Sequence, residues 1–211
     1  MKKRFKFSVY LSIVLAISSA RAGAYVDFFR AIGADDGRAV ATLLARGFDP
    51  NSPDEHGQVG LFLALRDDAP KVADALLASP ATRIDEPNGV GETPLMMAAL
   101  RGRLDAARRL VERGAQVNRD GWTPLHYAAT GPEPRLVSLM LEQGARIDAP
   151  SPNHSTPLMM AARYGPEASV DILLAHGADP KPRNDKALNA ADFARQAGRE
   201  ALAVRLERLK D

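Results

Sequence analysis

The sequence predicts an all-α solenoid of about six helix-turn-helix units joined by short β-hairpin connections. Three observations carry this reading. The phrase Thr93-Pro94-Leu95-Met96-Met97-Ala98-Ala99 recurs as Thr123-Pro124-Leu125-His126-Tyr127-Ala128-Ala129 and as Thr156-Pro157-Leu158-Met159-Met160-Ala161-Ala162. Fifteen residues after each leucine stands an apolar pair (Leu110-Val111, Met140-Leu141, Leu173-Leu174), and three residues beyond each pair stands Gly114, Gly144 or Gly177, followed by Ala. The same spacings recur in altered words from Val26, Val59 and Asn189, so six phrases begin at residues 26, 59, 93, 123, 156 and 189. A phrase repeated with its internal spacing intact marks one supersecondary unit copied along the chain.

The first segment stands outside the repeat. Lys2, Lys3, Arg4 and Lys6 precede an apolar run from Phe7 to Ile17, and Ala20-Arg21-Ala22 follows. A basic start, an apolar run and an A-x-A site in that order describe a secretory signal peptide over residues 1–22. Cleavage is expected after Ala22, with Ala24 as a second choice. The run falls short of the roughly 20 apolar residues that a membrane anchor needs. Residues 1–22 hold five bases and no acid, so removing them leaves 23 basic and 26 acidic side chains, a net charge of −3. Such a chain presents no basic face for nucleic acid and no polybasic patch for a membrane. The short basic start and an excess of Arg over Lys, 21 to 7, suggest a bacterial source and the periplasm as destination, with onward secretion as the other possibility.

The units are expected at 24–52, 53–86, 87–117, 118–149, 150–182 and 183–211. Within each, Thr suits the N-cap, where its hydroxyl accepts from a free first-turn N–H. Pro suits N1, where the missing N–H has no partner to lose. Leu95, Ala98 and Ala99 then share one helical face, and Leu104, Ala107, Leu110 and Val111 form the stripe of a second helix. Gly114 suits the left-handed position that ends it. One helix pair cannot bury both stripes, so units must stack. The end units read as caps: Val26-Asp27 and Asn189-Ala190 replace Thr-Pro, and the last helix is highly charged. Two departures are expected. Only Asn118-Arg119-Asp120-Gly121 separates Val117 from Trp122, which predicts a stunted hairpin and a notch beside Trp122 and Arg163. Pro80 stands where the second unit should carry its capping glycine.

These phrases resemble the ankyrin repeat, T-P-L-H-x-A-A at a period near 33, over residues 24–211. The resemblance implies two antiparallel helices per unit, a hairpin between units, protein binding as the role, and no catalytic residue. Carried over by position, hairpin tips fall at Asp54, Glu55, His56, Asn88, Val90, Glu92, Asp120, Trp122, Asn153 and Ser155. The matching helix positions are Leu100, Arg101, Thr130, Arg163 and Tyr164, with Met97 and Met160 alongside. Trp, Tyr and Arg are the residue types that most often anchor interfaces.

Little in the chain points to chemistry. There is no Cys, hence no disulfide, thiolate metal site or Cys nucleophile. His126 fills the His slot of the phrase and is expected to tie neighbouring units by hydrogen bonds. His56, His154 and His176 fall at separate turns, without metal-ligand spacing. Asp35-Asp36, Asp54-Glu55 and Asp67-Asp68 read as turn acids. The expected protein is therefore a monomeric, exported binding module without cofactor or metal. Its partner would be an envelope protein. A secreted effector acting on host proteins and a hydrolase on a repeat scaffold are the alternatives.

Overall fold

The structure, a computed structural model, describes residues 22–209. The predicted signal segment therefore lies outside the described residues, apart from Ala22, which is helical. Twelve helices occur among the described residues, and they fall into six pairs. They are α1 (22–33), α2 (Gly37–Ala45), α3 (Gly60–Arg66), α4 (Pro70–Ala78), α5 (Pro94–Leu100) and α6 (Leu104–Glu112). Then come α7 (Pro124–Thr130), α8 (Arg135–Glu142), α9 (Pro157–Tyr164), α10 (Glu167–Ala175), α11 (Ala190–Gln196) and α12 (Glu200–Arg208). The chain divides into two compact units, one ending at Arg83 and the other beginning at Ile84. The first holds α1–α4 and the second α5–α12.

Each repeated phrase starts a helix for the reason its residues suggest. The Thr93 and Thr156 hydroxyls accept from the N–H of Met96 and Met159 at 3.4 Å. The methionine sulfurs reach back to accept from the Thr N–H groups, also at 3.4 Å. This is a capping box with sulfur in the role usually taken by a carboxylate or amide. In the last pair Asn189 and Asp192 make the ordinary version, at 3.1 and 3.0 Å. Val59 starts α3 with no side-chain cap bond.

The second helices end as expected. Gly114, Gly144 and Gly177 adopt φ of 91°, 78° and 90°, a left-handed geometry that any Cβ would strain. Pro80 breaks the pattern in the second pair. There α4 ends at Ser79 in an extended conformation, and the Thr82 hydroxyl closes the turn by donating to the Leu76 carbonyl at 2.7 Å.

In the second unit α5, α7, α9 and α11 pack side by side, and α6, α8 and α10 line up behind them. The small Ala pairs permit the close approach: Ala98, Ala99, Ala128, Ala129, Ala161 and Ala162 are all inaccessible to solvent. In the first unit Phe28 is fully buried, with the Phe48 ring centroid 4.6 Å from its own.

The connections are tight turns. The β content among the described residues is a single antiparallel bridge, Pro53 to Val59. An Asx side chain organises several of them. Asp54 accepts from His56 and Gln58, Asn88 from Val90 and Glu92, and Asn184 from Lys186 and Leu188, all within 2.7–3.1 Å. With the side chain closing the turn, a longer ladder is unnecessary. Residues 118–121 form only a bend, as four residues cannot complete that turn.

A candidate interaction surface around Trp122

The exposed edge of the second unit is built around Trp122, the chain's only tryptophan. Trp122 precedes the N-cap of α7, so its half-buried ring lies against the first turn and meets His126 edge-on, with centroids 5.2 Å apart and planes at 79°. His126 is 1% exposed. Its Nδ1 accepts from the Thr123 N–H at 3.2 Å and its Nε2 donates to the Ser155 carbonyl at 3.0 Å. A neutral ring in one tautomer satisfies both bonds. Burial holds its pKa down to about 4. One imidazole thus caps its own helix and grips the next turn, as the sequence suggests.

Tyr127 follows on the same helix. Its hydroxyl donates to Glu92 Oε1 at 2.8 Å, and burial together with that carboxylate raises its pKa. Asn88 donates to the other Glu92 oxygen at 2.8 Å. Glu92 is therefore fixed from both sides.

Two depressions flank Trp122. One, of about 210 Å³, is lined by Leu100, Trp122, His126, Tyr127, Thr130 and Met160. The other, of about 390 Å³, lies between the turn at Val90-Gly91 and Pro152, bordered by Glu92, Arg119, Asp120 and Trp122. The shortness of 118–121 leaves that second space open. The notch expected from the sequence is present beside Trp122, but Arg163 borders neither depression. Arg163 lies further along α9, where it donates to Gln196 Oε1 at 2.6 Å and stands over the rings of Tyr164 and Phe193 at 5.1 and 5.9 Å.

The remaining positions sort by exposure. Leu100 and Thr130 are half-buried in the smaller hollow, Arg101 is exposed where α5 ends, and Tyr164 is 55% exposed. Asp120 is open to solvent, 4.0 Å from the Arg146 guanidinium. Asn153 is exposed and accepts from the Ser151 hydroxyl at 2.6 Å. Ser155 departs from the expected tip position. It is 1% exposed, its N–H donates to Ser151 Oγ at 3.0 Å, and its hydroxyl accepts from Asn184 at 3.3 Å. The turn folds it inward as an internal tie, away from the surface. Met97 is likewise buried, whereas Met160 reaches the hollow. In the first unit Asp54 is engaged by its own turn, and Glu55 and His56 are exposed, 3.6 Å apart.

Reasoning from the phrase missed Tyr127, whose slot varies from copy to copy, and Arg199. Arg199 appears in the sequence as one charge among many in the last helix. In the structure its Nη1 donates to the carbonyls of Ala161, Ala162 and Gly165 at 3.1, 3.0 and 2.9 Å, capping the end of α9. No group of three or more His, Cys, Asp or Glu poised for a metal occurs among the described residues. No helix among them is long and apolar enough to cross a membrane.

A family model described as ankyrin repeats (three copies) matches residues 28–120 and 117–184. The chain is similar to the human neurogenic locus notch homolog protein 4, 39% identical over 58% of this chain and 6% of that protein. It is similar to the tyrosine-protein kinase Shark of Drosophila melanogaster, 30% identical over 84% of this chain and 19% of that one. It is similar to the nuclear factor NF-kappa-B p105 subunit of Mus musculus, 34% identical over 69% of this chain and 16% of that one. The chain spans less than a fifth of each of these relatives.

Proposed function

The chain belongs to the ankyrin-repeat family, and from that premise we propose that it is an exported, monomeric, non-catalytic module that binds one protein partner of the cell envelope through the surface around Trp122. The repeats themselves make it a protein–protein interaction module. The observation that carries the finer reading is the pair of depressions on either side of a half-buried tryptophan. Aromatic residues in partly desolvated hollows are where interface energy concentrates. The reading of no chemistry of its own is supported by His126, whose two ring nitrogens are both engaged in holding the fold. Export rests on the order of residues 2–22 alone.

The test is capture by crosslinking with the chain from Gly23, read by mass spectrometry, alongside the double variant Trp122→Ala, Arg163→Ala. The expected result is one stoichiometric envelope partner that the variant no longer captures, with helical content and melting unchanged. Capture that survives the double substitution places the binding surface elsewhere. Fractionation of the source cells tests the destination. Protein released with the periplasm supports this reading, and protein in the medium supports an effector that acts on host proteins.

A further inference from the structure

The smaller hollow and its surroundings also carry information about what the partner presents. At about 210 Å³ it lies below the ~300–1,000 Å³ of small-molecule sites and suits one large side chain. Most of its lining is hydrocarbon and ring carbon, from Leu100, Trp122, Tyr127 and Met160. The polar atoms nearby are already engaged: the Thr130 hydroxyl donates to the His126 carbonyl at 2.9 Å, and the Tyr127 hydroxyl is held by Glu92. With those hydroxyl protons committed and most of the lining carbon, the hollow favours an apolar occupant.

The charges around it are asymmetric. Arg101 follows Leu100 at the end of α5, and Arg163 lies one turn beyond Met160 on α9, so both stand on the helix-end side. Neither forms an ion pair with a carboxylate among the described residues; Arg163 is held by the neutral Gln196. Other arginines of the same unit are matched: Arg135 with Glu133 at 2.6 Å, Arg195 with Glu207 at 2.9 Å, and Arg205 with Asp171. On the opposite, turn side stand Glu92 and Asp120, but with Arg119 beside them and Arg146 4.0 Å from Asp120, so the charge there is mixed.

We propose that the hollow receives one large apolar side chain from an acidic segment of the partner, whose carboxylates meet Arg101 and Arg163. This rests on the protein-binding reading and adds the partner's chemistry to it. Arg163 is already oriented by Gln196 and by the Tyr164 and Phe193 rings, so it loses little rotamer freedom on pairing. The segment has a direction: its acidic residues lie over the helix ends, where Arg101 and Arg163 have no carboxylate partner among the described residues.

A displayed library of random peptides, panned on the purified protein, tests this. Because Trp122 is the only tryptophan, its fluorescence reports occupation of the hollow directly. The expected winners, from a library without tryptophan, carry a single Leu, Phe or Met flanked by Asp or Glu and shift Trp122 emission. They should bind about tenfold more weakly to the double variant Arg101→Glu, Arg163→Glu and at least as well to Asp120→Lys. The substituted arginines are on the surface, so far-UV circular dichroism should remain that of the parent. Basic winners, winners lacking an apolar residue, insensitivity to the arginine reversal, unchanged Trp122 emission or no enrichment at all would overturn the proposal. Capture of an envelope partner lost on Trp122→Ala would in each of those cases still uphold the broader reading.

Discussion

His126 shows how one residue joins helix capping, stacking and pH response. The ring must stay neutral to accept from Thr123 while donating to Ser155, and burial holds its pKa near 4, below its usual 6.5. A group whose folded-state pKa is depressed in this way binds its proton more readily when unfolded. Its neutral form is fully compatible with the fold above pH ~6.5, and stability falls as pH drops from there through ~4, by about 3 kcal/mol for this one group. Met96 and Met159 occupy the same slot without a titratable atom and still make the local cap. His126→Met is therefore expected to cost about 1–2 kcal/mol at neutral pH, from the lost bond to Ser155. It should also shrink the difference between urea midpoints at pH 7 and pH 4.5. A variant with the parent's full acid sensitivity would place that sensitivity in other groups. The inter-unit role of His126 is legible through the resemblance, whose phrase carries a His at this slot. The inward turn of Ser155 is not legible, because tip and buried positions of a turn differ by one residue and a polar side chain suits both.

At the scale of helices, inner neighbours approach so closely that side chains are excluded where α7 and α9 end. A Cβ on Gly131 would overlap the Ala99 carbonyl, and one on Gly165 would overlap the Ala129 carbonyl. Gly165 has an ordinary extended backbone, with φ −88° and ψ 168°, so the restriction comes from the neighbouring helix. Gly165→Ala should force α9 away from α7 and cost about 1–3 kcal/mol, as overpacking does. Gly47→Ala would strain the backbone at φ 87° without meeting any neighbour. Arg199 bonds the end of α9 from the following pair, and charged donors on the last carbonyls of a helix oppose its dipole. Arg199→Ala is expected to lower stability by about 2 kcal/mol, and Arg199→Lys should recover only part of that, because the shorter lysine stem does not carry its ammonium to where Nη1 meets all three carbonyls. Equilibrium unfolding read by circular dichroism decides both cases. The phrase predicts helix starts and αL endings well because caps are local chemistry. It says nothing of Arg199, whose partners lie 34 to 38 residues earlier in the chain.

At the scale of the whole second unit, stability is a chain of neighbour contacts, since each inner helix packs mainly on the inner helices before and after it and on the outer helix of its own pair. This is why the repeat could be read from spacing, whereas the surface positions came only from the resemblance to the family and their side chains from no rule. The period is enforced by burial of Leu95, Leu125 and Leu158 at 0% exposure, one in each copy, whereas Trp122, Arg163 and Arg101 occur once each and obey no spacing. The same logic gives a test. Ending the chain at residue 182 removes α11 and α12, with Phe193, Leu202 and Leu206, and uncovers the face of α9 that carries Ala161 and Ala162. Each lost apolar side chain is worth about 1.5–3 kcal/mol of burial, opposed by the conformational entropy released, so a net loss of a few kcal/mol is expected. Trp122 lies two pairs away and touches none of the deleted residues. If neighbour coupling holds the unit together, the unfolding midpoint read from Trp122 emission falls with that of the whole, and Arg199→Ala reproduces part of the fall in the full chain. A Trp122 midpoint that stays in place while helical signal is lost at lower urea would show that the last pair folds and unfolds without the rest, and that the surface around Trp122 is stable on its own.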